Sequence, residues 1–286
     1  MKKRLVLLFT VMMAMLVLAA CGADKEKDTT SGSEGSDSTT ESKEVFKIGM
    51  EAGYAPFNWT QTNDSNGGVQ INGEKEYAGG YDVEIAKKIA EGLGKELVIV
   101  KAEWDGLVPA LQSGVVDAII AGMSPTEDRK QSIDFTENYY TSDFVIVTKK
   151  GSKYENAKTL ADFAGAKITA QLNTSNYKVI DQIPDVKQQV AMDNFPAMRV
   201  AIESGVIDGY IAERPEAISA AAANENFTYS VLEDGFDVEE ADVSIAVGVR
   251  KDYDLTDEIN EILKGISEEE RQKLMEAAIA NQPAAQ

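Results

Sequence analysis

Histidine is absent from all 286 residues, and cysteine occurs once, at Cys21. Without imidazole and with one thiol the chain cannot assemble the usual zinc, copper or haem ligand sets, and histidine acid–base catalysis is excluded. No metal or cofactor is expected. A single cysteine also excludes an internal disulfide. Positive charge is scarce: 28 Lys and Arg stand against 48 Asp and Glu, a formal net charge of −20. That balance argues against nucleic acid or an anionic lipid surface as partner. Beyond the first twenty residues no apolar run is long enough to cross a bilayer.

What is present begins with Met1, Lys2, Lys3 and Arg4, then an apolar stretch that ends in Leu18, Ala19, Ala20 and Cys21. A basic head, a short apolar run and small residues before a cut describe a signal peptide over residues 1–20. Cys21 resembles the lipobox cysteine of bacterial lipoproteins, which is acylated on sulfur and becomes the mature N-terminus. The expectation is a protein outside the cytoplasm, held by lipid at the bacterial cell membrane. Residues 21–44, dominated by Gly, Ser, Thr, Asp, Glu and Lys, have no apolar surface to offset the entropy of ordering and read as a tether spanning on the order of 25 Å.

The remainder, 45–286, suits two lobes. An internal repeat supports this. Ala110-Leu111-Gln112-Ser113-Gly114-Val115-Val116-Asp117-Ala118-Ile119-Ile120-Ala121 matches Ala201-Ile202-Glu203-Ser204-Gly205-Val206-Ile207-Asp208-Gly209-Tyr210-Ile211-Ala212 at seven of twelve positions. Each copy reads as a helix end closed by glycine, then an Asp-led apolar strand. Upstream, residues 46–50 and 166–170 are corresponding short strands before polar loops. The spacing predicts a helix over 80–94, with Asp82 as cap, Val83, Ala86, Ile89, Ala90 and Leu93 on one face, and Gly92 and Gly94 at its end. Ser267, with Glu270 three residues on, predicts a last amphipathic helix that returns to the first lobe. Alternating strands and helices imply α/β lobes with largely parallel sheets, which bind ligands at the carboxyl ends of their strands.

Those ends carry the candidate site. Thr126 predicts a helix cap, and Arg129 in the following turn offers a planar fork for a carboxylate, with Ser124 or Thr126 as further donor. Thr174 and Ser175, in the loop Asn173-Thr174-Ser175-Asn176, form a second candidate anion cradle. Glu213, at the end of an apolar strand, is placed to receive an ammonium group. Tyr54 and Trp104 lie in loops after strands and are placed to sandwich an aliphatic side chain. Each has a plainer reading taken alone: a surface arginine, a helix cap, rings that fill a core.

Together these features resemble the solute-binding family 3 receptors of ABC importers. The resemblance rests on Gly80-Tyr81-Asp82-Val83-Glu84-Ile85, on Gly122-Met123-Ser124-Pro125-Thr126-Glu127-Asp128-Arg129, and on Ile133-Asp134-Phe135-Thr136. It implies the type II periplasmic-binding-protein fold (Venus-flytrap): two α/β lobes joined by two hinge strands, with lobe 1 formed by 45–141 and the return segment 244–286, and lobe 2 by 142–243. It further implies that Arg129, Ser124 and the backbone of Gly122 bind the α-carboxylate of a free amino acid, completed by Thr174 and Ser175. Glu213 would bind the α-ammonium, and Tyr54 and Trp104 would stack on the side chain. Glu51 falls where relatives place an acid near the distal end of that side chain. With Glu103 beside Trp104 it favours a basic ligand, arginine or lysine, over an acidic one; glutamine, cystine or another polar amino acid is the alternative. Asn173 replaces the family's usual glycine, and 58–78 is longer than the corresponding hairpin, both at the cleft rim.

The implied partners are the free amino acid, the membrane permease of an ABC importer and the lipid anchor, with the receptor itself a monomer and not an enzyme. Two rivals share the fold: a secreted prephenate or arogenate dehydratase with Glu213 as acid, and a sensor fused to signalling modules.

Overall fold

The computed structural model describes residues 43–283; the signal segment, Cys21 and nearly all of the tether lie outside them. The chain opens with β1 (Val45–Met50), the hairpin strands β2 (Gly53–Tyr54), β3 (Asn58–Gln61), β4 (Val69–Gln70) and β5 (Tyr77–Gly79), then α1 (Tyr81–Gly92) and β6 (Glu96–Lys101). It continues through α2 (Trp104–Gln112), β7 (Ala118–Ile119), α3 (Glu127–Lys130) and β8 (Asp134–Thr141). After residues 142 and 143 it enters a second sheet with β9 (Phe144–Lys149), β10 (Lys167–Thr169), α4 (Ser175–Lys178), β11 (Lys187–Gln188), α5 (Phe195–Glu203), β12 (Gly209–Glu213), α6 (Arg214–Ala223) and β13 (Phe227–Ser230). Through α7 (Glu240–Val243) it returns to the first sheet as β14 (Ser244–Val249), and ends in α8 (Thr256–Lys264) and α9 (Glu268–Asn281).

The two sheets have the same plan, β6-β1-β7-β14-β8 and β11-β10-β12-β9-β13. In each, three strands run parallel, and the strand that arrives from the other lobe, β14 or β9, pairs antiparallel with the third. The expected parallel sheet is therefore mixed. A strand handed over directly between lobes needs no crossover helix, which parallel pairing would require. The two crossings are bonded to each other, Ser142 N–H to Val243 O at 3.0 Å.

The repeated aspartate explains itself here. Asp117 accepts the N–H of Lys47 at 2.9 Å and donates its own N–H to Lys47 O at 2.7 Å; Asp208 does the same with Lys167, at 2.9 and 2.8 Å. Each therefore bonds both backbone groups at the start of its lobe's central parallel strand.

Helix α1 buries Val83, Ala86, Ile89 and Ala90 as the periodicity predicts, each large aliphatic side chain contributing about 1.5–3 kcal/mol. Asp82 is not its cap. Gly80 holds the cap position at φ 122°, and Asp82 is wholly buried behind it, bonded to Asn58 and Tyr139. Ser267 does cap α9, accepting the N–H of Glu270. That helix is anchored to lobe 1 by Arg271, bonded to Asn138 O and Leu263 O, and its far end reaches lobe 2, where Gln282 and Ser219 bond each other. The long hairpin folds back on the sheet edge: Ile71 is buried and Asn72 N–H bonds Ile99 O at 2.8 Å, so the extra length covers β6, an edge that would otherwise stay unpaired. Among the described residues no helix is long and apolar enough to cross a membrane.

Candidate functional site

Loops from both sheets meet at a cavity of about 10 Å³. Lobe 1 supplies Tyr54 at the end of β2, Trp104 at the first turn of α2, Gly122 and Ser124 after β7, and Arg129 in α3. Lobe 2 supplies Thr174, Ser175 and Glu213, with Asn176 from the same candidate cradle loop, together with Gln171 and Phe195, which sequence reasoning passed over. With so little free volume the walls touch, and the polar groups pair across the cleft. Tyr54 Oη donates to the Glu213 carboxylate. Gln171 Nε2 donates to Glu51 at 3.0 Å, and Asn173 Nδ2 to Asp105 at 2.9 Å.

Thr126 caps α3 by accepting the N–H of Arg129, which sets the arginine in the first turn facing the cleft. Its guanidinium donates to Ser124 O at 2.8 Å and to Asn173 O at 2.9 Å, and lies 5.0 Å from the centre of the Trp104 ring. Burial lowers its pKa to about 10, against the opposing pull of Glu213 and Asp242; it stays charged at neutral pH. With five donors on the fork and these two bonds made, it retains N–H groups for a carboxylate. Asn173 presents its carbonyl from a left-handed backbone, φ 56°, a conformation that Asn tolerates better than most residues. That accounts for Asn in place of glycine.

Glu213 is buried, and burial raises its pKa, opposed by the hydrogen bonds from Tyr54 and Asn176 and by the charge of Arg129. Glu51 is not a wall of the cavity and reaches it through Gln171. Its Oε1 has no hydrogen-bond partner among the described residues. Burial raises its pKa to about 7, the Gln171 bond opposes this, and the Glu103 charge adds to it. Glu103 itself is exposed.

Several expected contacts take another form. Tyr54 stacks on Phe57 at 4.9 Å and on Phe195 of lobe 2 at 4.4 Å with a 15° tilt, while Trp104 covers Arg129, so the two rings serve separate partners. Ser124 Oγ donates to Asp242 O at 3.0 Å, Ser175 Oγ to the Asp242 carboxylate, and Thr174 Oγ1 to Gln171 O at 2.6 Å. These hydroxyls brace the loops against the return crossing and each other. The N–H of Gly122 is turned inward, donated to Tyr139 Oη at 3.3 Å. No group of His, Cys, Asp and Glu side chains suited to a metal occurs among the described residues.

The family model for bacterial extracellular solute-binding proteins, family 3, matches residues 46–279. The arginine-binding extracellular protein ArtP of Bacillus subtilis is 31% identical over 278 residues, covering 92% of each chain. The glutamine-binding protein GlnH of an ABC transporter of the same organism is 29% identical, covering 95% of this chain and 94% of its own. Among solved structures, an amino acid ABC transporter substrate-binding protein of Streptococcus pneumoniae bound to L-arginine superposes with a TM-score of 0.72 at 26% identity, covering 82% of this chain and 94% of its own. All three are binding proteins, and the two-lobed fold agrees with the last. This chain belongs to the bacterial extracellular solute-binding proteins, family 3.

Proposed function

We propose that the cleft captures a free polar amino acid for the permease of an ABC importer, with the receptor held outside the cell membrane by lipid on Cys21. One observation carries the reading: a half-buried guanidinium from lobe 1, Arg129, and a buried carboxylate from lobe 2, Glu213, line the same cavity. A zwitterion needs that pair, the fork for its α-carboxylate and the acid for its α-ammonium. As the ligand enters, its ammonium takes the place of the Tyr54 hydroxyl on Glu213, and lobe closure buries it. The ligand is a basic amino acid, arginine or lysine. Glu51 adds a second buried carboxylate beside the cavity, and a cationic side chain supplies the partner that Glu51 Oε1 lacks, whereas an acidic one meets like charge.

A thermal-shift screen of the twenty amino acids with ornithine and cystine tests this. A ligand at a hundred times its dissociation constant adds ~2.7 kcal/mol of stability. Arginine, lysine or ornithine should give the largest shift. A shift with glutamine or cystine alone retires the basic ligand and keeps the amino-acid receptor; conversion of prephenate to product replaces the receptor with an enzyme.

A further inference from the structure

The Gly80-Tyr81-Asp82 motif lies outside the cleft, yet its carboxylate ends in the loops that form it. We propose that Asp82 is a positioning residue of the binding site: its two carboxylate oxygens tie the loop that carries Tyr54 to the loop that carries Gly122 and Ser124, and so set the spacing at which lobe 1 meets its ligand. The ligand half of this statement rests on the function proposed above.

Asp82 is wholly buried. Oδ2 accepts from Asn58 Nδ2 at 2.8 Å, and Asn58 is paired with Tyr54 across the β2–β3 ladder. Oδ1 accepts from Tyr139 Oη at 2.8 Å, and that hydroxyl accepts the N–H of Gly122 at 3.3 Å. The backbone on either side of the carboxylate is clamped to the Tyr54 loop, Tyr81 N–H to Pro56 O at 3.0 Å and Asp82 N–H to Phe57 O at 2.8 Å. Gly80 makes that approach possible, since a Cβ there would lie 2.4 Å from Phe57 O. The spacing is tight. Gly122 has φ +62°, and a Cβ on it would meet Tyr54 Cε1 at 2.6 Å. Burial raises the Asp82 pKa to about 6, held down by Asn58, Tyr139 and Gly122, so at pH 7 the carboxylate accepts from both sides. Packing alone does not call for a buried carboxylate, because well-packed apolar replacements of buried charges are often neutral or stabilising. Holding two loops by two oxygens is a task an apolar side chain cannot perform.

The test compares Tyr139→Phe, Asp82→Ala and Asp82→Asn with the wild type, by calorimetric titration of L-arginine at a temperature where circular dichroism shows each variant folded, and by amide hydrogen exchange at Gly122. Tyr139→Phe and Asp82→Ala each leave a buried group without its partner, and should bind arginine roughly tenfold or more weakly, with faster exchange at Gly122. Asp82→Asn should stay within about threefold, since its amide accepts from Tyr139 and donates to Asn58 once that amide turns over. Wild-type affinity in Tyr139→Phe and Asp82→Ala, with only the melting temperature lowered, overturns the positioning role. If Asp82→Ala does not fold, Tyr139→Phe decides alone. If the wild type binds no amino acid, the proposed function fails, and unchanged exchange at Gly122 in Tyr139→Phe then overturns the tie between the loops independently.

Discussion

Arg129 spends part of its fork on protein carbonyls, Ser124 O within its own lobe and Asn173 O across the cleft. Those bonds aim the rest of the fork, so a ligand carboxylate meets a donor that loses little further freedom on binding. Arg129→Met removes the charge and keeps an apolar chain under Trp104; affinity for the bound amino acid should fall on the order of a thousandfold with the fold intact. Near-native affinity by calorimetry takes Arg129 out of the site. Glu51 makes a different claim, on stability. Its pKa stands at about 7 against an ordinary 4.5, so between those values the folded chain holds a proton that the unfolded chain has released. Stability attributable to Glu51 is therefore full below about pH 4.5 and is lost as pH rises toward 7. Glu51→Gln removes that loss and should gain on the wild type by up to ~3 kcal/mol between pH 4.5 and pH 8. Urea titrations at the two pH values that give the same difference contradict the assignment. Arg129 and Glu213 were legible in the sequence because a guanidinium in a capped first turn and a carboxylate that closes an apolar strand are conspicuous. The outward commitments of Ser124, Thr174 and Ser175 were not, since the acceptor that draws two of these hydroxyls away, Asp242, is 118 residues from Ser124 and 67 from Ser175 in the chain.

Strands and helices were easier to read than their pairings. The face of α1 and the cap of α9 follow from local spacing, whereas the antiparallel place of β9 and β14 follows from the chain leaving one lobe for the other, which no local pattern records. Asp82 shows the limit in one residue: an acid in a first turn looks like a cap, and only the fold brings Asn58 and Tyr139 to it. The repeated aspartate shows the opposite case, where a sequence match had a single physical cause twice over. Asp117→Ala and Asp208→Ala each abandon a backbone N–H at a strand start, at Lys47 and Lys167, and each should cost about 1–2 kcal/mol of unfolding free energy. The similarity of the two values is the sharper expectation. A cost at one site and none at the other, measured by urea denaturation, would show that the repeated aspartates do not act alike.

The duplicated plan also organises the cleft. Ala110 and Ala201 are 91 positions apart, and so are Trp104 and Phe195, and Gly122 and Glu213. Glu51 and Gln171 stand equally far beyond Ile48 and Ile168, which occupy equivalent places in the two sheets, and they bond each other. Phe195 and Gln171 were thus within reach of the sequence, had the repeat been carried beyond its most similar residues; their contacts across the cleft required the closed arrangement of the lobes. Phe195 belongs to lobe 2, while its ring lies 4.4 Å from Tyr54 of lobe 1, so the stack exists only when the lobes are together. A contact of that kind acts on escape and leaves encounter with the open cleft almost untouched. Phe195→Ala should therefore raise the dissociation rate of the bound amino acid by roughly ten- to a hundredfold, as expected for losing a stacked ring and its buried area, with the association rate changed less than about threefold. Stopped-flow fluorescence from Trp59 and Trp104 measures both rates. If association slows while dissociation stays at the wild-type value, Phe195 receives the ligand in the open cleft and does not hold the lobes closed.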